Sequence, residues 1–221
     1  MLKVISFDVV GTLLDSSFED HVWNTMIPQL YAKKQGINFK EAKEFIQIEY
    51  DYVGNRDIRW YLPSYWFNHF KLDDDPVEIF RSHTNKLKFY PETLSVVKKL
   101  SQIYELIIVC GTTREIIEIM IEKVRHYFKH IFSPISDKNE IKKNPQMYEM
   151  ICKTIETEPN KIAHVGDNWY SDFLSPRKIG INSFHLDRTG KKRGKYVIRD
   201  LNELEDRLTS KKIVSRKNIF S

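Results

Sequence analysis

Three aspartates, two adjacent lysines and a group of small hydroxyl or thiol residues sit where apolar runs end in this 221-residue chain. After KVISF comes Asp8-Val9-Val10-Gly11-Thr12. After ELIIV comes Cys110-Gly111-Thr112-Thr113. After KIAHV come Gly166, Asp167 and then Asp172, while Lys142 and Lys143 precede a helical pattern. Carboxylates drawn together repel one another and call for a cation. An all-oxygen ligand set favours a hard dication such as magnesium. That ion beside a lysine makes a site for a phosphate dianion, whose oxygens the N–H groups of glycine-containing turns can cradle. One carboxylate held in line can then attack phosphorus and carry the phosphoryl group as an aspartyl-phosphate. Singly, Asp172 also reads as a charge partner for a helix N-terminus, and Lys142, with Lys143 beside it, as a surface residue. The ensemble is what points to a site.

Those residues need strands to present them. KVISFDVV is a continuous apolar run closed by a glycine turn, as a buried parallel strand requires. YELIIVC (104–110), KIAHVGD (161–167), GINSFHL (180–186) and KYVIRD (195–200) read the same way. Helical patterns separate them: PETLSVVKKLSQ, TREIIEIMIEKVRHYF, PQMYEMICKTIE opening on Pro145, and SDFLSPRKIG closing on Gly180. Strands alternating with helices predict an α/β fold with a parallel sheet, and ligands bind such sheets at the C-terminal strand ends. Residues 16–88 break the alternation. They carry helical patterns only, including a segment that opens on Asn38, a good N-cap, and another that Pro28 should kink or break. Trp23, Trp60 and Trp66 fall there, and the reading is a small aromatic core, with one or two rings able to face a substrate.

Four segments in this order resemble the motifs of the haloacid dehalogenase (HAD) superfamily of hydrolases: FDVVGTLLD, ELIIVCGTT, IKKNPQMY and HVGDNWYSDFLSPRKIGI. The last is the most specific, and the resemblance extends to about Asp200. It implies a doubly wound, Rossmann-like core from 1–15 and 89–221. It also implies a mobile C1-type helical cap from 16–88. Asp8 would be the nucleophile, and Mg2+ would be held by Asp8, the main-chain carbonyl of Val10 and Asp167, supported by Asp172. Lys142 would neutralise the charge on nucleophile and phosphate, a choice made because Tyr148 stands three residues after Pro145. Thr12, Cys110, Gly111 and Thr112 would contact the phosphate.

The sequence departs from the family's phosphatases at Val10, where they carry the aspartate that protonates the leaving oxygen and activates water. Cys110 stands where Ser or Thr is usual, and Lys143 stands where proline follows the lysine. Three readings result: a phosphatase-like hydrolase of a small phosphorylated metabolite, a metal-independent 2-haloacid dehalogenase, and a non-catalytic ligand-binding member of the fold. A halide leaves without a proton, so Val10 is tolerable in a dehalogenase. The VGD of the fourth motif, where dehalogenases resemble SSN, favours the phosphatase form. A phosphonate C–P hydrolase is a minor fourth reading, since that branch also has a small residue at Val10's position; nothing singles out the cap lysine it needs.

Composition bounds the rest. Hydrophobic residues make up 41% and charged residues 29%, a soluble globular profile. No apolar segment approaches a membrane span, the N-terminus lacks a signal-peptide layout, and the two cysteines cannot form a disulfide framework. A cytoplasmic protein with a small-molecule substrate and no membrane partner is expected. Charge is uneven: 188–221 holds 11 Lys/Arg against 4 Asp/Glu, or +7, leaving −2 of the net +5 elsewhere. The tail reads as solvated and partly frayed. No nucleic-acid motif accompanies it, so a nucleic-acid partner is not expected. Oligomeric state leaves no trace in the sequence.

Overall fold

The computed structural model describes residues 1–141 and 143–208. Six parallel strands form one sheet: β1 (Val4–Phe7), β2 (Glu105–Val109), β3 (Phe128–Phe132), β4 (Ile162–Gly166), β5 (Asn182–Leu186) and β6 (Val197–Ile198), in the order β3-β2-β1-β4-β5-β6. The order reverses between β1 and β4, which pair Val4 with Ile162 through Phe7 with Val165. That reversal opens a crevice at the C-terminal ends of those two strands.

Strand side chains alternate between faces, so each strand feeds two cores. Ile5, Phe7, Leu106, Ile108, Ala163 and Val165 enter one apolar cluster, while Val4, Ile107, Val109 and Ile162 enter another. The second is covered by α9 (Pro145–Thr154), through Met147, Tyr148 and Ile151. The first is covered by α6 (Thr93–Ser101) and α7 (Arg114–Ile121), with residues 201–208, also helical, adding Leu201, Leu204 and Leu208. With both faces covered, β1 is buried along its whole length.

Five of these strands were legible as apolar runs. β3 was not: the helical reading of TREIIEIMIEKVRHYF ran through Phe128. The α-helix ends at Ile121, a 3-10 stretch follows over Glu122–Tyr127, and Phe128 opens the strand. As a sheet edge carrying the exposed Lys129, β3 has no continuous apolar run to announce it.

Between β1 and α6 the described chain forms helices and no strand of the sheet: α1 (Ser17–His21), α2 (Ile27–Gln35), α3 (Phe39–Val53), α4 (Pro63–His69) and α5 (Pro76–Ser82). Asn38 caps α3 as expected, its side chain accepting from Glu41 N–H. Pro28 does not break its helix. A wide π turn, Val22–Met26, joins α1 to α2 just before it, with Ile27 N–H reaching back to Val22. A proline ring crowds the carbonyl four residues earlier, and an inserted wide turn absorbs that. Trp66, fully buried, packs edge-on to Tyr50 at 4.6 Å and stacks on Phe70 at 5.5 Å. Such pairs add about 0.5–1.5 kcal/mol each beyond area burial.

The segment joins the sheet through two neighbouring crossings. Leu14 bridges Phe89 antiparallel, Asp15 N–H donates to Lys88 and Tyr90 N–H to Leu13. Two smaller helices, α8 (Pro134–Lys138) and α10 (Ser175–Lys178), complete the core, and Gly180 ends the latter at φ +93°. The basic C-terminal stretch is only partly what its composition suggested. Arg188 and Arg207 are tied into the fold, Arg207 donating to Lys195 and Val197 carbonyls, and 209–221 lie outside the described residues. No helix among the described residues is long and apolar enough to cross a membrane.

Candidate active site

Asp8 leaves β1 at the point where the crevice opens and is almost fully buried. Lys143 Nζ lies 2.7 Å from its Oδ1, and Thr12 donates to its Oδ2 at 3.2 Å. The same ammonium lies 2.5 Å from Asp172 Oδ1 and 3.4 Å from the Val109 carbonyl. Lys143 takes the place expected for the charge-neutralising lysine; Lys142, the residue expected there, lies outside the described residues. Asn144 caps α9, accepting from Met147 N–H, and only that one extended residue separates Lys143 from the helix. Spacing back from Pro145 and Tyr148 overcounted the turn by one.

Asp172 is reached through the loop after β4. Asn168 starts a π turn, Trp169–Leu174, by accepting from Tyr170 and Ser171 N–H groups, and its own N–H donates to Asp172 Oδ2 at 3.0 Å. Behind Asp172, His164 Nε2 approaches Asp172 Oδ1 at 3.2 Å and Tyr148 Oη at 3.0 Å, and Nδ1 meets Ser6 Oγ at 2.8 Å. Because Tyr148 donates its hydroxyl to the Ser171 carbonyl, Nε2 is the donor toward Tyr148 Oη and Asp172. Neither His164 nor Ser6 was singled out from sequence, since each simply continues an apolar strand pattern.

Electrostatics divide the carboxyls. Burial raises Asp172, but Lys143 and His164 outweigh it and hold it at about 2. Burial raises Asp8 against the pull of Lys143. Asp167 is exposed as a residue, yet its carboxylate folds inward: a Cβ on Gly11 would lie 2.3 Å from its Oδ2. Burial of that carboxylate, then the charges of Asp8 and Asp172, push it up to about 7. Carboxylate oxygens of Asp8, Asp167 and Asp172 all lie within 4.8 Å of one another. Lys143 compensates two of them, and Asp167 stands as the acid that a further cation would relieve. Three oxygen donors this close, one without a counter-ion among the described residues, fit a hard dication.

The remaining expected residues sort unevenly. Val10, Cys110, Gly111 and Thr112 line a crevice of about 450 Å³ together with the three aspartates and Lys143. Thr12 does not line it; its hydroxyl is engaged by Asp8. Burial pushes the Cys110 thiol up, so it stays protonated. The Thr112 carbonyl accepts from Ser133 Oγ at 2.6 Å, which fixes that loop. Trp169 packs on Phe173 and His185 instead of lining the crevice. Arg188 was passed over as part of the basic tail. It spans the loop after Asp8, donating to the Gly11 and Thr12 carbonyls at 3.3 and 2.7 Å and to Glu92 at 2.8 Å.

The facing wall comes from the helical segment: Glu19, Asp20, Trp23, Asn24, Gln47, Tyr50, Asp51, Trp60, Tyr61 and Trp66. It presents aromatic faces, amides and carboxylates. Among the described lining residues, Lys143 is the sole base.

Residues 2–180 match the haloacid dehalogenase-like hydrolase family. The chain is 32% identical over 72 residues to the GMP/IMP nucleotidase YrfG of Escherichia coli K12, a match covering 33% of this chain and 32% of that protein. Its fold superimposes on a HAD phosphatase from Thermococcus onnurineus with TM-score 0.81 and 26% identity, covering 94% of this chain and 98% of the other. A 2-haloacid dehalogenase from Pseudomonas syringae shares the fold at TM-score 0.68 and 16% identity, over 95% and 99% of the two chains.

Proposed function

This chain belongs to the haloacid dehalogenase-like hydrolases, and from that premise we propose that it is a magnesium-dependent phosphate monoesterase acting on purine nucleoside monophosphates. The reading is carried by the carboxylate cluster of Asp8, Asp167 and Asp172 with Lys143 at its centre. Asp167 comes from the VGD of the fourth motif, where a dehalogenase resembles SSN.

In this reading Asp8 attacks phosphorus, and the ester oxygen departs with the electron pair of the broken P–O bond. Lys143 holds the attacking carboxylate and balances the charge of the incoming phosphate. Mg2+, held by Asp8, the Val10 carbonyl and Asp167 with Asp172 in support, would supply positive charge against the phosphate oxygens. The glycine turn at Gly111 and Thr112 lines the crevice, and its backbone N–H groups would meet those oxygens. The segment 16–88 acts as the cap. Its aromatic faces suit a planar base and the amides of Asn24 and Gln47 suit that base's polar edge. A wall bearing carboxylates and no described base disfavours substrates with a second anionic end. The partly matching relative bears the name GMP/IMP nucleotidase, which agrees with that class.

Val10 favours a second reading, because a haloacid dehalogenase needs no acid there. The two are separated by one pair of assays. Phosphate release from GMP and IMP should require Mg2+, stop with EDTA and vanish in Asp8→Asn. Chloride release from L-2-chloropropionate that persists in EDTA would instead establish the dehalogenase. Silence in both, with a ligand still bound in the crevice, would make this a binding protein.

A further inference from the structure

Building on the phosphomonoesterase reading, we propose that Glu19 donates the proton to the leaving oxygen and then activates water, in place of the carboxyl that Val10 lacks. Glu19 lines the same crevice as Asp8 and Val10 but arrives from the opposite wall, in the first turn of α1. Its position is set by neighbours. Ser17 N–H is held by Asp15 Oδ1 at 2.9 Å, and Phe18 is fully buried edge-on to Phe80 at 5.8 Å. With Phe18 pinned into the core, the next residue turns to the crevice.

The other crevice acids are engaged or, as with Asp167, belong to the carboxylate cluster around the nucleophile. Asp172 is held by Lys143 and His164, Asp20 accepts from Ser16 Oγ at 2.7 Å, and Asp51 accepts from Gln47 Nε2 at 2.8 Å. None of the described residues gives the Glu19 carboxyl a hydrogen bond or a counter-ion. A glutamate serving only the helix dipole sits at the solvated edge of a first turn; this one is half-buried and faces the nucleophile. Burial, then the nearby charges of Asp8 and Asp20, push it up to about 7. Near neutral pH it therefore carries a proton it can give and afterwards recover, the property wanted of a general acid that becomes a general base.

The step balances without another reagent. An Asp8 carboxylate oxygen forms a bond to phosphorus while the P–O ester bond breaks. The departing oxygen keeps that electron pair and takes the Glu19 proton, leaving as an alcohol. The Glu19 carboxylate then removes a proton from water as the water oxygen bonds to phosphorus. The P–O bond to Asp8 breaks, releasing phosphate and returning both acids to their starting states.

Leaving-group dependence tests this. A nucleoside 5′-monophosphate expels an alkoxide that needs the proton, whereas 4-nitrophenyl phosphate expels a stable phenolate. In Glu19→Gln the loss of kcat on the alkyl ester should exceed that on the aryl ester by about 10²-fold, the lower range of general acid catalysis. Glu19→Asp should recover part of the difference. Equal losses on both esters, or none on either, overturn the proposal. Independently of any variant, wild-type rates across a series of phosphate esters should depend only weakly on the leaving group's pKa, and a steep dependence also overturns it. Wild-type protein inert toward every ester, with Mg2+ present, would instead sink the monoesterase reading on which this one stands.

Discussion

A buried ammonium between two aspartates cannot be removed without stranding both. Lys143 is 7% exposed and touches Asp8 and Asp172, so Lys143→Met should lower stability by about 3 kcal/mol, as removal of one partner of a buried pair does. It should also abolish turnover. Urea denaturation beside a phosphate-release assay checks both effects. Gly11 offers a second test. It sits at φ +79°, and a Cβ there would meet the Asp167 carboxylate. Gly11→Ala should lower the melting temperature, because the left-handed backbone alone costs about 1 kcal/mol for other residues. It should also weaken Mg2+ binding in a calorimetric titration. Asp8, Asp167 and Asp172 announce themselves as acids at the ends of apolar runs, whereas Glu19 looks like any acid in a first turn, and His164 hides in the pattern of its strand. The choice between adjacent lysines turned on a single residue of loop length, which composition cannot measure.

Elements carry those residues by their ends. Asn168 begins the π turn of Trp169–Leu174 and hands its N–H to Asp172. Asn168→Ala should cost about 1 kcal/mol, the ordinary value of a lost N-cap, seen as a lower urea midpoint. It should also reduce kcat, since losing the side-chain cap loosens the turn that aims the residue-168 N–H at Asp172. The buried strands were legible because they are covered on both faces and read as unbroken apolar runs. The edge strand β3 escaped because the exposed Lys129 and half-buried His130 interrupt its apolar run. Pro28 misled in the opposite direction: a proline inside a helical pattern signals a break, and the wide turn before it keeps the helix whole.

Across the whole molecule, the parallel order that reverses between β1 and β4 decides where chemistry sits, and the helical segment decides what surrounds it. If that segment closes over bound phosphate, adding Mg2+ with vanadate, a mimic of the pentacoordinate phosphorus, should reduce the radius of gyration in solution scattering. An unchanged radius would mean a crevice already shut. The alternation of strands and helices made the core readable, and a stretch of helical patterns without strands marked the insertion. Which of its aromatic rings turn to the crevice depends on packing between helices, and no linear pattern records that.

The antiparallel bridge of Leu14 with Phe89 sets the two ends of residues 16–88 side by side. A stretch whose entrance and exit are neighbours can be lengthened, shortened or exchanged without disturbing the register of the strands beneath it. Evolution, or an engineer, can thus trade one recognition wall for another as a cassette. With one qualification, the reaction would travel unchanged: if Glu19 is the acid, the cassette carries part of the catalyst, and a graft must bring its own proton donor.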